Sequence, residues 1–258
     1  MLLLRNGRLV KTVRFRKETY LGDPVNAIRI FNEKCVDEIV LLDIGATPSA
    51  SPPDIELVRE IVSEAFVPLT YGGGVTSIEE MRQLYRAGVE KVAINTRAHA
   101  GYEFVRRAVA QFGSSSVVGS IDAGRDWLGR RCTVSRGGRR RHSIDPVDHA
   151  LRMEEAGVGE ILFNCVERDG TMRGYDLELV REVTGAVGIP VVACGGARDV
   201  KDLTRVVHEA GASAAAAGSM FVFYGRHRAV LITFPDQGTL DAAFGQNRPP
   251  SREGPVPA

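Results

Sequence analysis

Several residues in this chain have types and spacing suited to chemistry. Asp122 closes the apolar run 116–121. A carboxylate there can act as a general acid or base, or it can simply cap a helix or hold an ion pair. Asp43, which closes the run 39–42, is a similar but weaker candidate. Glycines form a second set. Gly72-Gly73-Gly74 is followed by Asn95-Thr96, and further on come Asp169-Gly170-Thr171, Gly195-Gly196 and Gly218-Ser219. Glycine lets backbone N–H groups approach an anion closely, and Ser and Asn add donors. A lone glycine run would mean only a tight turn. Recurrence in two groups with polar partners suggests two phosphate sites and a ligand carrying two phosphates. In a third set, Glu38, Lys91 and Glu160 begin apolar runs, so that two acids and a base could form a charged ring. The plain alternative is a solvated rim pair worth less than about 1 kcal/mol. Lys11 and Lys91 stand out mildly, because the chain has 5 Lys against 28 Arg. The basic stretch 136–142 could attract a phosphorylated substrate, but a solvated hairpin tip is the favoured reading.

The elements that position these residues follow from an internal repeat. Residues 38–62 and 160–184 share a pattern at an offset of 122. Asp54-Ile55-Glu56-Leu57-Val58-Arg59-Glu60 matches Asp176-Leu177-Glu178-Leu179-Val180-Arg181-Glu182, and Gly73-Gly74 matches Gly195-Gly196. Apolar runs at 2–4, 39–43, 67–71, 91–95, 117–122, 160–165, 190–194 and 212–217 read as strands. The last is Ala-rich, and only the repeat register supports it. Helical periodicity lies between them, as in Ile55, Val58, Ile61 and Val62. Asp23-Pro24 reads as a cap with proline at the first helical position. Eight strands alternating with helices in two fourfold halves predict an α/β fold, a closed (β/α)8 TIM barrel. The barrel is expected over 1–235, with halves of about 1–113 and 114–235. A Pro- and Gly-rich tail over 236–258 is expected to be disordered. In such a barrel the carboxylates and glycines above stand at the C-terminal strand ends, and Glu38, Lys91 and Glu160 at the opposite end.

Composition excludes several classes. Lys+Arg 33 against Asp+Glu 32 leaves a net charge of +1, which argues against a dedicated nucleic-acid binder. No apolar stretch approaches the roughly 20 residues that span a bilayer, and Arg5-Asn6-Gly7 ends the opening apolar run too soon for a signal peptide. A cytoplasmic protein with no membrane association is expected. Cys35, Cys132, Cys165 and Cys194 form no metal spacing and read as free thiols in a reducing compartment. No metal or cofactor is expected.

On these residues the chain resembles the cyclase subunit of imidazole glycerol phosphate synthase. The likeness is carried by Asp37-Glu38-Ile39-Val40-Leu41-Leu42-Asp43-Ile44, Pro68-Leu69-Thr70-Tyr71-Gly72-Gly73-Gly74, Lys91-Val92-Ala93-Ile94-Asn95-Thr96, Gly159-Glu160-Ile161-Leu162, Arg168-Asp169-Gly170-Thr171 and Gly174-Tyr175-Asp176. It covers roughly residues 2–230. The resemblance implies a two-half barrel working with a glutaminase docked on its N-terminal face. Ammonia then passes a charged gate and the barrel interior to a bisphosphorylated substrate at the mouth. The products are imidazole glycerol phosphate and an aminoimidazole carboxamide ribotide, in histidine biosynthesis. The implied phosphate contacts are Gly74, Asn95 and Thr96 on one side, and Asp169, Gly170, Gly195, Gly196, Gly218 and Ser219 on the other. The implied mobile-loop lysine is Lys11, the gate is Glu38, Lys91 and Glu160, and one of two catalytic aspartates is Asp122.

The second aspartate of the family pattern falls on Leu3, within Leu2-Leu3-Leu4-Arg5-Asn6-Gly7. An aliphatic side chain cannot exchange a proton, and losing a general acid or base typically costs ~10²–10⁴-fold in rate. The fourth gate residue of the family, an arginine, would lie upstream of Met1, so the chain is expected to begin inside its first strand. Divergent paralogues from surface-polysaccharide clusters share the leucine-rich start. They also share a stretch like Gly218-Ser219-Met220-Phe221-Val222-Phe223. They pair with a paralogous glutaminase and hand ammonia to a sugar amidotransferase. The resemblance to this subgroup is the closer one. It implies an ammonia-conducting barrel with reduced or no cyclase activity. The alternatives are an ordinary cyclase subunit and a non-catalytic scaffold that activates the glutaminase.

Overall fold

The computed structural model describes residues 1–245. Eight strands run parallel in one curling sheet: β1 (Leu2–Arg5), β2 (Ile39–Asp43), β3 (Leu69–Gly72), β4 (Lys91–Ile94), β5 (Val117–Arg125), β6 (Glu160–Cys165), β7 (Val191–Cys194) and β8 (Ala214–Ala216). Each pairs with the next in chain order. The two ends of the sheet meet where the Met1 backbone nitrogen donates to Ala217 O at 2.7 Å. The result is the expected (β/α)8 barrel. The Ala-rich β8 is a strand because β7 supplies its hydrogen-bond partners, and tertiary pairing outweighs alanine's helical preference.

Helices α1 (Pro24–Glu33), α2 (Ile55–Ser63), α3 (Ile78–Arg86), α4 (Glu103–Phe112), α5 (Pro146–Glu155), α6 (Leu177–Ala186) and α7 (Val200–His208) follow the strands. Their starts are written in the sequence. Asp23 accepts from Asn26 N at 2.8 Å with Pro24 behind it. Asp54 accepts from Leu57 N and Asp176, 122 residues later, from Leu179 N. Ser77 and Glu80 close a capping box. The main core lies between sheet and helices, with Ile28, Val58, Ile61, Met81, Leu84, Val105, Met153 and Val206 almost fully buried. A second, smaller cluster fills the barrel interior: Val40, Ala93, Val118, Leu162 and Cys194.

Three features differ from the sequence expectation. Two antiparallel hairpins add to the mouth side. Arg8–Val13 pairs with β1 and with Arg16–Gly22. β5 runs on to Arg125 and pairs with Arg131–Ser135, which in turn pairs with Arg140–His142. The expected disorder from Asp236 is also corrected over part of its length. Asp236 caps a helix, α8 (Gln237–Phe244), by accepting from Thr239 N at 2.8 Å. Leu240 is buried, and Phe244 packs on His208 of α7. Burial of this apolar face offsets the weak local propensity. The rest of that tail, 246–258, lies outside the described residues.

Candidate functional site

Period-2 alternation sends Leu3, Leu42, Ala93, Asn95, Ser120, Asp122 and Asn164 toward the barrel interior. All seven line one cavity of about 120 Å³ at the C-terminal strand ends. Asp122 sits at its base. Its Oδ2 accepts from Asn95 Nδ2 at 2.9 Å and its Oδ1 from Asn164 Nδ2 at 3.1 Å. Burial pushes the Asp122 pKa up to about 7, with nearby Asp169 adding and the two amides opposing. A carboxyl poised near neutrality can take or give a proton at physiological pH. Leu3 is only 4 % exposed and brings no polar atom to the same cavity. Asp43 has a local role: its Oδ1 accepts from Gly45 N and Ala46 N, capping the one-turn helix Ala46–Ser49.

The two glycine groups stand on opposite sides of the mouth. On one side Gly74, Asn95 and Thr96 line the main cavity. Gly74 has φ +71°, and a Cβ there would lie 2.7 Å from Ser51 O, so only glycine fits. Its N–H donates to Thr47 Oγ1 at 3.1 Å. On the other side Gly170, Gly195, Gly196, Gly218 and Ser219 gather around a small cavity with Lys11 and Asp169. Asp169 lines both cavities. Lys11 Nζ donates to Asp169 Oδ1 at 2.8 Å, both side chains almost fully buried. The strand carrying Lys11 is thereby clamped onto the loop after β6, and Arg14 N donates to Asp169 O at 2.9 Å. Buried Asn95 Oδ1, Asn164 Oδ1 and Ser219 Oγ have no hydrogen-bond partner among the described residues. A buried polar atom left unpaired costs roughly 1–3 kcal/mol, so these three are positions where a ligand's donors or acceptors would be stabilising.

At the opposite end of the barrel Lys91 Nζ lies 3.0 Å from Glu38 Oε2 and 3.0 Å from Glu160 Oε2. Thr70 Oγ1 donates to Glu38 Oε1 at 2.7 Å. Burial works against the Lys91 charge, but the bonds to Glu160 and Glu38 outweigh it and hold the pKa above its ordinary value. The interior cluster around Val40, Ala93, Val118 and Leu162 separates this ring from the mouth.

The structure thus brings the sequence-derived residues into three groups: Asp122 with the first glycine set, Lys11 with the second, and the charged ring below. Asn164 was not singled out from the sequence. Its signal was available, since Glu160, Leu162 and Asn164 alternate on the inward face of β6. The basic stretch 136–142 also differs from a free hairpin tip. Positive φ at Arg136, Gly137 and Gly138 turns it back over the mouth. Arg136 N donates to Thr96 Oγ1 at 3.3 Å, and Gly138 abuts the Phe15 ring from the other hairpin. Among the described residues no cluster of three or more His, Cys, Asp or Glu is arranged to hold a metal. No described helix is long and apolar enough to cross a membrane. The four cysteines are free.

Comparison with known proteins gives a consistent result. Residues 1–228 match the family model described as "Histidine biosynthesis protein". A Pseudomonas aeruginosa protein named "Putative imidazole glycerol phosphate synthase subunit hisF2" is 48% identical over 240 residues, 93% of this chain and 96% of the relative. A Leptospira interrogans protein named "Putative imidazole glycerol phosphate synthase subunit HisF" is 38% identical over 244 residues, 94% of this chain and 96% of the relative. The "Imidazole glycerol phosphate synthase subunit HisF" of Alkaliphilus metalliredigens is 41% identical over 218 residues, 84% of this chain and 86% of the relative.

Proposed function

This chain belongs to the histidine-biosynthesis protein family, as a HisF-type barrel, and on that premise we propose that it conducts ammonia from a glutaminase while having lost most or all cyclase activity. In this reading the glutaminase docks at the end bearing Glu38, Lys91 and Glu160. Ammonia passes the interior layer and leaves at the mouth for amidation of a surface-polysaccharide sugar by a second enzyme. The protein works in the cytoplasm without a cofactor of its own.

Leu3 carries the reading. It is buried in the cavity that holds Asp122, where a proton-exchanging partner on the other side of a substrate would have to sit. Ring closure that needs one carboxylate on each side would have only one. The glycine sets and the orphaned polar atoms Asn95 Oδ1, Asn164 Oδ1 and Ser219 Oγ speak for a ligand at the mouth and against a pure scaffold.

The test is to supply purified protein with the family's bisphosphorylated substrate and free ammonium. The expected result is no imidazole glycerol phosphate, with Leu3→Asp gaining turnover. Turnover by the unmodified chain at a rate typical of the family overturns the proposal. One observation favours a second reading, an ordinary cyclase subunit. Asp122, with a pKa near 7, is already suited to proton exchange at neutral pH. Neighbouring genes for sugar modification would support the first reading, and histidine-pathway neighbours the second. At the gate, Lys91→Ala is expected to uncouple glutamine hydrolysis from ammonia delivery. Unchanged coupling would remove Lys91 from the gate.

A further inference from the structure

The barrel interior can carry ammonia only in its neutral form. The layer of Val40, Ala93, Val118 and Leu162 is apolar, and an ammonium ion stripped of water there would have nothing to balance its charge. The next inward-facing residues toward the mouth are polar. Ser120 and Asp122 follow Val118 along β5, Asn95 follows Ala93 along β4, and Asn164 follows Leu162 along β6. All four line the mouth cavity. A molecule leaving the apolar layer meets this ring first.

The ring is rich in acceptors. Both amide nitrogens are spent on Asp122, which leaves Asn95 Oδ1 and Asn164 Oδ1 without partners. Asn164 is 5 % exposed. Ser120 adds a hydroxyl oxygen. Leu3 and Leu42 close other parts of the wall without a polar atom. The cations near the cavity are largely engaged. Lys11 is held by Asp169 at 2.8 Å, Arg5 pairs with Glu18, and the Arg97 guanidinium lies over the Phe104 ring at 5.1 Å. The Met1 amine donates to Ala217 O, and burial lowers its pKa to about 6. Arg136 joins the lining from the hairpin over the mouth. Of the lining carboxyls, Asp169 has Lys11 and Asp43 has two backbone N–H groups. Asp122 has neither a cation nor a backbone N–H among the described residues.

We propose that the base of the mouth cavity is an ammonium site, at which Asp122 captures ammonia emerging from the barrel interior and holds it for the enzyme that consumes it. The inference rests on the ammonia-conducting reading. An ammonium ion offers four N–H donors and no acceptor, which complements a carboxylate, two unpaired amide oxygens and a hydroxyl. Ammonium is a much weaker acid than a carboxylic acid, as amine and carboxyl side chains show. The Asp122 O–H bond therefore breaks, the nitrogen lone pair forms a fourth N–H bond, and a carboxylate–ammonium pair results. Returning the proton regenerates neutral ammonia and the neutral carboxyl. The cavity of about 120 Å³ has room for an ion close to water in size, roughly 30 Å³. This task needs one carboxylate, not two, and so accounts for Asp122 standing in one cavity with Leu3.

The titration of Asp122 in two salts tests the site on the full chain. Its side-chain carboxyl NMR signal, assigned by its absence in Asp122→Asn, is followed against pH in ammonium chloride and in tetramethylammonium chloride at equal ionic strength. Tetramethylammonium has the charge but no N–H donor. A cation bound only beside the ionised carboxylate lowers the apparent pKa, by about one pH unit once it exceeds its dissociation constant tenfold. Ammonium is expected to produce this fall and tetramethylammonium none. Asn164→Leu and Ser120→Ala are expected to shrink the difference between the two salts. Equal pKa values in both salts overturn the proposal, as does a difference that survives undiminished in both variants. Coupling at Lys91 is measured separately, so an Asp122 that ignores ammonium removes the capture site and leaves the conduction reading standing.

Discussion

Asn164 and Asp122 face each other in register on neighbouring strands, and Asn164 Nδ2 donates to Asp122 Oδ1 at 3.1 Å. With Asn95 on the other oxygen, the carboxyl is fixed but poorly solvated, and burial raises its pKa from 3.8 to about 7. The unfolded chain gives up this proton near pH 4, whereas the folded chain keeps it to about 7. The folded state therefore binds more protons in that window, and the Asp122 contribution to stability falls as pH rises through it. Asp122→Asn removes the titration. One flanking amide can turn to present Oδ1, since both Asn95 Oδ1 and Asn164 Oδ1 lack partners. The variant is expected to match the parent at pH 4 and to exceed its urea midpoint at pH 8. A difference that does not vary with pH would refute the assignment.

Lys91 is shared by Glu38 and Glu160, and removing it leaves two half-buried carboxylates facing each other. Lys91→Met keeps the stem's volume and loses the charge. A destabilisation of about 1–3 kcal/mol is expected at pH 8, below the full cost of breaking a fully buried pair. Adding Glu38→Gln to Lys91→Met is expected to recover part of the loss at pH 8. Urea midpoints of the three proteins at pH 8 check this.

The barrel was legible because its determinants are local and repeated. Caps such as Asp54 and Asp176 and the paired glycines recur at a fixed offset, and strand starts place Glu38, Lys91 and Glu160 at one end without any tertiary information. The first hairpin was missed although Asn6-Gly7 signals it. Both residues take positive φ, as a tight two-residue hairpin turn requires, but the dipeptide reads from sequence only as the end of an apolar run. Asn164 was obscured by sitting in an apolar strand. The stack of His99, His142 and His149 joins three separate elements, and no local period reveals such a contact. α8 was hidden because its stability comes from packing on α7 rather than from its own residues.

Gly170 tests the clamp that holds the Lys11 strand. Its φ is +70°, and a Cβ would lie 2.2 Å from Thr12 O. Gly113 also has positive φ, +87°, but nothing lies within 4 Å of its would-be Cβ. Gly113→Ala is therefore expected to cost about 1 kcal/mol from backbone strain alone. Gly170→Ala is expected to cost about 2–4 kcal/mol, because backbone must also move. Hydrogen exchange separates the two. Only Gly170→Ala is expected to speed exchange in 8–22, where the Lys11–Asp169 pair and the Arg14 N–H to Asp169 O bond hold the hairpin down.

The stack of His99 on His142, 3.8 Å between centroids, and on His149, 4.5 Å, contributes to the acid limb of stability. Burial, with neighbouring histidines adding, lowers the His99 pKa from 6.5 to about 3 and that of His149 to about 4. Both are neutral in the folded chain, whereas the unfolded chain protonates them below about pH 6.5. Their contribution is complete above that pH and is lost progressively as pH falls toward 4 and then 3. This slope is opposite in sign to that of Asp122 over the same range. Among these three groups, the two histidines outweigh the one carboxyl on acidification. His99→Phe keeps a flat ring for stacking and cannot titrate. It is expected to reduce the fall in urea midpoint between pH 6.5 and 4.5 by about one proton's worth, roughly 1.4 kcal/mol per pH unit. Combining it with Asp122→Asn is expected to restore a slope close to the parent's, because one titration of each sign has been removed. A pH profile of His99→Phe that follows the parent would show that the stack does not titrate in this way.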